Sequence, residues 1–274
     1  MSRIGGLALE LIDDAAMFPP GNAALADAVK AAYARRDTPQ GAVVGPLLVP
    51  ASAVEDLRSH ADPTLVLGVA LIGDTGLEGL AAARDALQDD AWIVLTQVEL
   101  RPPTADPPSQ GVSSLLAELS FTAPAYVELN LETDFVGALE VLADDGLERA
   151  KFRTGPYTVP PPELLAKAIG TAVRLGVRFK LTGGLHQALP AHDAETGQHH
   201  HGFLNTLAAT SLAISGANDE TLVDVLRSSE TERVLTALGT RDASRVRDSF
   251  CSFGSCSIDE PFDELVRLGL ADPS

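Results

Sequence analysis

Short apolar runs alternate with helical patterns along most of the chain, and this alternation constrains the fold more than any other feature. Runs such as residues 42–49 and 64–72 are rich in Val, Leu and Ala and have the length of buried strands. Between such runs, as in residues 22–36, small apolar residues recur at helical spacing. A regular succession of strands and helices is typical of a parallel sheet covered by helices.

The pattern predicts eight strands, at residues 7–12, 42–49, 64–72, 92–100, 125–131, 147–153, 177–181 and 247–253. The helix before the seventh strand is predicted to start near Thr158 and to end at Gly176. The Pro-rich residues 101–111 are predicted as a surface loop, residues 191–201 as an irregular polar segment, and residues 202–246 as mostly helical.

We therefore predict an α/β fold, a single (β/α)₈ TIM barrel over residues 1–274 with a long insertion between strands seven and eight. A doubly wound open sheet is the alternative that pattern alone leaves open.

Composition narrows the class of protein. The chain of 274 residues is 45% hydrophobic and carries a net charge of −18, so its long-range field repels nucleic acid and anionic membranes. Two cysteines are too few for a disulfide framework, and acidic residues interrupt the apolar N-terminus, which argues against a signal peptide. We predict a cytoplasmic protein without a membrane span or a cofactor, and the sequence leaves a homo-oligomer open.

Polar side chains share one face of four neighbouring strands, because side chains alternate along a strand. They are Gln97 and Glu99 on strand four, Glu128 and Asn130 on strand five, Lys151 and Arg153 on strand six, and Arg178, Lys180 and Thr182 on strand seven. The opposite faces of strands five to seven are apolar and suit packing against helices. The polar faces are therefore predicted to point into the barrel near the carboxyl ends of the strands, where barrel enzymes place their active sites.

Two lysines at the same point of adjacent apolar strands indicate amine chemistry. The chain has four lysines, and only Lys151 and Lys180 fall on predicted strands. A like charge and a dry site lower the pKa of a lysine, so that its amine can attack a carbonyl and form a Schiff base. Glu99 or Glu128 could then move protons. The alternatives are internal salt bridges, such as Glu128 with Lys151, and a clamp that only binds an anion.

The histidines offer a different chemistry. His186 ends strand seven and His201 precedes a predicted helix, so their imidazoles could bind a metal ion together with Glu128 or Asp13. The alternative is a polar loop in which a histidine caps a helix or contacts a substrate. Cys256 lies at a helix start without an evident base partner, and we interpret it as a packing residue.

Four short motifs resemble those of deoxyribose-phosphate aldolase and other class I aldolases, which are (β/α)₈ enzymes that act through a lysine Schiff base. The motifs are IDDAAMFP at residues 12–19, AKFRTG at 150–155, KLTGGL at 180–185 and GSCS at 254–257. The chain departs from that family in Arg153, which replaces a small residue, and in Asp14, which replaces a histidine.

The aldolase resemblance implies roles for particular residues. Lys151 would form the Schiff base and Lys180 would lower its pKa, while Glu99 would stand near the strand-four aspartate of that family. Backbone N–H groups of Gly183, Gly184 and Ser255 would bind a phosphate.

A second resemblance covers nearly the whole chain. The segments LIDDAAMFPP, FKLTGGLH, HGFLN and FGSCSIDEP together are similar to an uncharacterised bacterial protein family. This resemblance implies no activity, but it marks His186, His201 and Asn205 as positions typical of that family.

Taken together, these features predict a class I aldolase-like lyase that acts on a small anionic carbonyl compound, such as a sugar phosphate. The predicted catalytic residues are Asp13, Glu99, Glu128, Lys151 and Lys180. The predicted substrate-binding residues are Asn130, Arg153, Thr182, Gly183, Gly184, His186, His201, Asn205 and Ser255, and no metal ligand is assigned. The alternatives are a metal-dependent hydrolase or isomerase that uses His186 and His201, and a non-enzymatic barrel that binds an anion.

Overall fold

Eight parallel strands close into a barrel in the part of the chain that the structure describes, which confirms the predicted (β/α)₈ fold. The computed structural model describes residues 6–155, 159–192, 197, 199–239 and 243–273. The strands are β1 (Ile12–Asp14), β2 (Val44–Pro50), β3 (Leu67–Ile72), β4 (Ile93–Leu100), β5 (Ala125–Leu129), β6 (Arg149–Arg153), β7 (Phe179–Thr182), β8 (Ala191–His192), β9 (His199–His200) and β10 (Phe250–Ser255). The barrel order is β1-β10-β7-β6-β5-β4-β3-β2, and β8 and β9 form a separate antiparallel pair.

Helices connect the successive barrel strands, as parallel pairing requires. They are α1 (Leu25–Arg35), α2 (Pro39–Val43), α3 (Val54–His60) after a 3₁₀ turn at Ala51–Ala53, α4 (Gly76–Leu87), α5 (Pro108–Glu118), α6 (Phe135–Asp145), α7 (Pro162–Leu175), α8 (Phe203–Ile214), α9 (Asp219–Leu226), α10 (Thr231–Leu238), α11 (Ala243–Ser249) and α12 (Asp259–Arg267). Among the described residues, no helix combines the length and the apolar character that crossing a bilayer needs.

The boundaries of the first and last barrel strands differ from the prediction. The first strand is Ile12–Asp14 and not residues 7–12, so the two aspartates lie within the strand instead of after it. The last strand is Phe250–Ser255 and not residues 247–253, because α11 extends to Ser249. With these boundaries, Asp13, Asp14 and Ser255 are part of the barrel strands.

The helix boundaries show two further outcomes. Helix α5 begins at Pro108, inside the residues predicted as a loop, because proline is compatible with the first turn of a helix. Helix α7 ends at Leu175, before Gly176, as predicted. The predicted helix start at Thr158 lies outside the described residues.

The strands that carry the lysines have one apolar and one polar face, as the alternation predicts. Phe152 of β6 and Phe179 of β7 are fully buried with ring centroids 5.6 Å apart, and Phe250 of β10 continues the contact at 5.5 Å from Phe179. These rings belong to the main hydrophobic core. Because Lys151 and Lys180 alternate with the rings along the same strands, they point to the opposite side, the barrel interior.

The segment between β7 and β10 contains the β8–β9 pair and helices α8 to α11. Most of α8 is buried, and Phe203 at its start stacks on Phe253 of β10 with centroids 5.3 Å apart. The irregular polar segment predicted for residues 191–201 thus includes two short strands. That this segment is an insertion into a simpler barrel stays a prediction.

Candidate active site

Five charged side chains from five strands meet inside the barrel, and we call them the charge cluster. They are Asp13 of β1, Glu99 of β4, Glu128 of β5, Lys151 of β6 and Lys180 of β7. The strand register sets their positions, because Lys151 lies opposite Lys180 in one strand pair and opposite Glu128 in the other. The five residues predicted as catalytic are therefore in one continuous chain of contacts.

Glu99 bridges the two ammonium groups of the charge cluster. Its Oε1 lies 2.5 Å from Nζ of Lys180 and its Oε2 lies 2.6 Å from Nζ of Lys151. Burial alone would raise the pKa of Glu99, but the positive charges of Lys151 and Lys180 outweigh burial and lower this pKa to about 2. Glu99 is therefore a carboxylate at neutral pH.

Lys180 is held in its charged form at the centre of the barrel. Its side chain is fully buried and contacts Asp13 as well as Glu99. Burial favours a lower pKa for Lys180, but the negative charges of Asp13 and Glu99 outweigh burial and raise this pKa above its ordinary value. The aldolase resemblance requires Lys180 to carry a permanent positive charge beside Lys151.

Asp13 is itself fixed by neutral donors. Its Oδ2 accepts hydrogen bonds from Nε2 of Gln97 at 3.0 Å and from Oγ of Ser252 at 2.9 Å, in addition to its contact with Lys180. Sequence reasoning did not assign a role to Gln97 or Ser252. Gln97 lies two residues before Glu99 on β4, so the alternation of side chains already places it on the same strand face.

Glu128 joins the charge cluster to two arginines at the carboxyl end of the barrel. Its carboxylate lies 2.9 Å from Nζ of Lys151, 3.1 Å from Nη2 of Arg153 and 3.1 Å from Nε of Arg101. Burial alone would raise the pKa of Glu128, but Lys151 and Arg153 lower it. Arg101 was absent from the predicted site, although it comes directly after β4 and two residues after Glu99.

A cavity of about 680 Å³ opens above the charge cluster, at the carboxyl ends of the strands, and we call it the upper cavity. Among its lining residues are Lys151, Arg153, Thr182, Gly183, Gly184 and His186, all predicted site residues. Lys151 is 6% exposed, whereas Lys180 is 0% exposed and does not line the cavity. The structure thus gives the two lysines different access to a ligand.

A second cavity of about 770 Å³, the lower cavity, lies at the amino ends of the strands. It is lined by Arg149, Arg178 and Arg247 among others, and it reaches Asp13 from below. The lower cavity is the larger of the two, but barrel enzymes carry their active sites at the carboxyl ends of the strands. The upper cavity is also the one that Lys151 lines, so we place the candidate active site there.

Four residues predicted to bind substrate lie outside the upper cavity. Asn130 is exposed and its side chain accepts a hydrogen bond from the backbone of Glu132, beside a smaller cavity of about 400 Å³. Asn205 is buried in α8 and donates to two backbone carbonyls, at 2.7 Å and 2.8 Å. His201 is buried, and Ser255 donates to the backbone of Ser257.

The two histidines of the metal hypothesis have separate partners. Nε2 of His201 lies 2.7 Å from the carbonyl of Pro160, and burial lowers the pKa of His201 to about 4. Nε2 of His186 instead lies 3.5 Å from Sγ of Cys256. Within the described residues, no three His, Cys, Asp or Glu side chains are grouped so that they could hold a metal ion.

Cys256 does have a potential base partner, contrary to the sequence interpretation. His186 and Cys256 both line the upper cavity and contact each other across its rim. The pairing joins residues that are 70 positions apart, so no local motif could have shown it.

The fold and the cavity define a class: a (β/α)₈ barrel with a charged, ligand-sized cavity at the carboxyl ends of its strands, an architecture common to aldolases and many other enzymes. No family model, curated protein or solved structure matches the chain.

Proposed function

We propose that the protein is a lyase of the class I aldolase type, which makes or breaks a C–C bond in a small anionic carbonyl compound through an imine on Lys151. The observation that carries this proposal is the position of Lys151. Of the four lysines, all of which are described, Lys151 alone lines the upper cavity, and a second, charged lysine lies opposite it on the next strand.

The contacts around Lys151 supply a charged neighbour and two proton acceptors for its amine. The contacts of the cluster and its rim join four cationic groups, Lys151, Lys180, Arg101 and Arg153, to three carboxylates, Asp13, Glu99 and Glu128. Arginine stays protonated, and Lys180 is held charged by Asp13 and Glu99. Lys151 itself contacts two carboxylates, Glu99 and Glu128, which can accept the proton that its amine must lose before the nitrogen attacks a carbonyl.

The chemistry then follows from the neutral amine. The Lys151 nitrogen attacks the carbonyl carbon of the ligand, the carbonyl oxygen takes up a proton, and loss of water leaves a protonated imine. This imine draws electrons from the neighbouring C–C bond, which breaks or, in reverse, forms. Glu99 and Glu128 lie within hydrogen-bond distance of the Lys151 nitrogen, so they are placed to carry the protons of these steps.

The lining of the cavity supports the proposed substrate class. Its volume of about 680 Å³ lies within the range of small-molecule sites. Arg153 and Arg101 line the upper cavity and give it local positive charge, although the whole chain has a net charge of −18. A compound with a carbonyl at one end and a phosphate or carboxylate at the other fits this arrangement. The resemblance to deoxyribose-phosphate aldolase supports the same class of substrate.

Trapping with borohydride tests the imine directly. The protein is incubated with a panel of small aldehydes and ketones that carry a phosphate or a carboxylate, reduced, digested and analysed by mass spectrometry. We expect a reduced adduct on Lys151 with at least one compound, because reduction converts the imine into a stable secondary amine.

Two variants make this measurement specific. Lys151→Arg should abolish the adduct, while Lys167→Arg, which changes an exposed lysine of α7, should leave it unchanged. Absence of an adduct with every compound, or an adduct shared equally with Lys30 and Lys167, would contradict the proposal.

A barrel that only binds an anion is the second candidate, and one observation favours it. Lys151 and Lys180 each contact two carboxylates, so their charges are satisfied without any ligand. In that case calorimetry would detect binding of an anionic carbonyl compound, and borohydride would leave no adduct on Lys151.

A further inference from the structure

Two side chains that line the upper cavity, Cys256 and His186, form a chain of contacts with the carboxylate of Glu260, which does not itself line the cavity. Sγ of Cys256 lies 3.5 Å from Nε2 of His186. Nδ1 of the same imidazole lies 3.4 Å from Oε2 of Glu260, a charge contact and not an aligned hydrogen bond. Cys256 follows β10, His186 follows β7 and Glu260 lies in the first turn of α12, so three separate elements bring the groups together.

The surroundings of this chain keep the thiol and the imidazole neutral at rest. Burial raises the pKa of Cys256, the backbone N–H groups of Gly21 and Cys256 partly offset this rise, and the negative charge of Glu260 adds to it. Burial lowers the pKa of His186, with Glu260 on α12 acting against this shift and His200 on β9 acting with it. A neutral imidazole has a free lone pair, which is the form that a general base needs.

We propose that Cys256 is a second nucleophile of the upper cavity, which adds reversibly to the aldehyde group of a small anionic ligand. His186 acts as its general base, and Glu260 is a positioning residue that orients the imidazole. The proposal does not depend on imine formation at Lys151, because the thiol has its own base and its own orienting carboxylate.

The addition is balanced without any further reactant. Nε2 of His186 takes the proton of the thiol while the sulfur forms a bond to the aldehyde carbon. The π electrons of the carbonyl move to its oxygen, and the imidazolium returns the proton to that oxygen, which gives a hemithioacetal. Oε2 of Glu260 lies nearest to Nδ1, so its negative charge favours the tautomer with the proton on Nδ1, which leaves Nε2 free.

The cavity lining favours an anionic aldehyde as the ligand. Cys256 and His186 share the cavity with Lys151 and Arg153, whose positive charges attract a carboxylate or a phosphate. Cys256 is only partly buried and lines the cavity, so a ligand there can reach it. The other cysteine, Cys251, is buried, lines the lower cavity and has an arginine but no described imidazole beside its sulfur.

Alkylation by iodoacetamide tests the activation of the thiol. The rate at each cysteine is followed by peptide mass spectrometry across a range of pH. We expect Cys256 to react faster than Cys251, and His186→Gln to slow Cys256 by about tenfold or more, because the thiol loses its base. Glu260→Gln should slow the alkylation of Cys256 less than His186→Gln does, and it should shift the pH dependence of this rate. His60→Gln, which changes an exposed histidine of α3, is the matched control and should leave the rate unchanged.

Nuclear magnetic resonance with carbon-13-labelled glyoxylate tests the addition itself. Glyoxylate is a small anionic aldehyde, and its labelled aldehyde carbon should give a hemithioacetal signal with the wild-type protein. Cys256→Ser should remove this signal, and Cys251→Ser should keep it. Equal alkylation rates in His186→Gln and the wild type, or no hemithioacetal signal, would overturn the proposal.

These results are separate from the imine experiment. Borohydride leaves a stable adduct on a lysine imine, whereas a hemithioacetal releases its aldehyde and leaves none. A protein that traps an adduct on Lys151 without a hemithioacetal retains the lyase proposal alone, and the opposite result retains the thiol proposal alone.

Discussion

Glu99 shows how a single side chain can hold a buried site together. Its two oxygens contact the ammonium groups of Lys151 and Lys180, which lie opposite each other on adjacent strands. Without this carboxylate the two positive charges would face each other in a site that excludes water, where their repulsion is large. Glu99 therefore makes the lysine pair compatible with a folded barrel.

Replacement of Glu99 by Gln should destabilise the protein strongly. The variant leaves buried ammonium groups with fewer carboxylates, and breaking a buried ion pair costs roughly 3–5 kcal/mol. Urea unfolding at neutral pH should show a loss of at least about 3 kcal/mol. Glu118→Gln, at the exposed end of α5, should change the free energy of unfolding by less than about 0.5 kcal/mol.

The effect of Glu99 should also depend on pH with a definite sign. Its pKa falls from 4.5 to about 2 on folding, so its stabilising contribution is complete above about pH 4.5 and is lost as the pH falls toward 2. The difference in unfolding free energy between the wild type and Glu99→Gln should therefore shrink on acidification from neutral pH to about pH 3. A difference that is constant or grows in this range would contradict the assigned charge state.

At the scale of elements, the turn after β7 determines the shape of the upper cavity. Gly183 has φ of +83°, and a Cβ at this position would clash with the carbonyl oxygen of Gly155, which follows β6. Only glycine allows both this backbone conformation and this approach of two chain segments. The close approach keeps the carboxyl ends of β6 and β7 together, next to Lys151 and Thr182.

Gly183→Ala should therefore be more destabilising than an ordinary change of glycine in the same backbone region. Gly216→Ala is the matched control, since Gly216 has φ of +82° and a Cβ there would meet no atom within 4 Å. Both variants carry backbone strain of roughly 1–3 kcal/mol, and Gly183→Ala adds the clash with Gly155. Urea unfolding should show a larger loss of unfolding free energy for Gly183→Ala than for Gly216→Ala. Equal losses would mean that the turn after β7 can shift enough to relieve the clash with Gly155.

The sequence predicts elements well where the alternation of apolar and polar residues is strong. In β6 and β7 the phenylalanines pack on one side and the lysines point to the other, and the charge cluster follows from this pattern. The prediction fails at the first strand, because the apolar run of residues 7–12 contains Leu7 and Leu11, which are buried in the core without being in a strand. Hydrophobic burial alone does not identify a strand.

The pairings at the site are the part that the sequence does not show. Arg101 reaches Glu128 across 27 residues, and Cys256 reaches His186 across 70. Such contacts depend on which strands become neighbours when the barrel closes, and on where each loop returns. Residue types and strand faces can be predicted from one sequence, but the partners of loop residues require the three-dimensional arrangement.

At the scale of the whole molecule, the charge cluster separates two cavities of similar size. The upper cavity is lined by Lys151 and Arg153, and the lower cavity by Arg149, Arg178 and Arg247. Each cavity presents arginines in a chain whose net charge is −18, so either end of the barrel can attract an anion. The proposed function requires that the substrate bind in the upper cavity.

Arginine variants at the two ends distinguish the cavities. Arg153→Gln should lower the yield of the borohydride adduct with a phosphate- or carboxylate-bearing compound by about tenfold, because a hydrogen bond to a charged group contributes roughly 1.5–3 kcal/mol. Arg178→Gln, at an exposed position of the lower rim, should leave the yield unchanged. The reverse result would assign ligand binding to the lower cavity.

The closed barrel has a further consequence for contacts between molecules. Every barrel strand pairs with a neighbour on both sides, so the barrel presents no edge to which a strand of another chain could add. In the described residues, unpaired strand edges occur only in the β8–β9 pair, where each strand is two residues long. The barrel itself can therefore associate with another chain only through side chains on its helices and loops, and among the described residues a shared sheet could form only at the short β8–β9 pair.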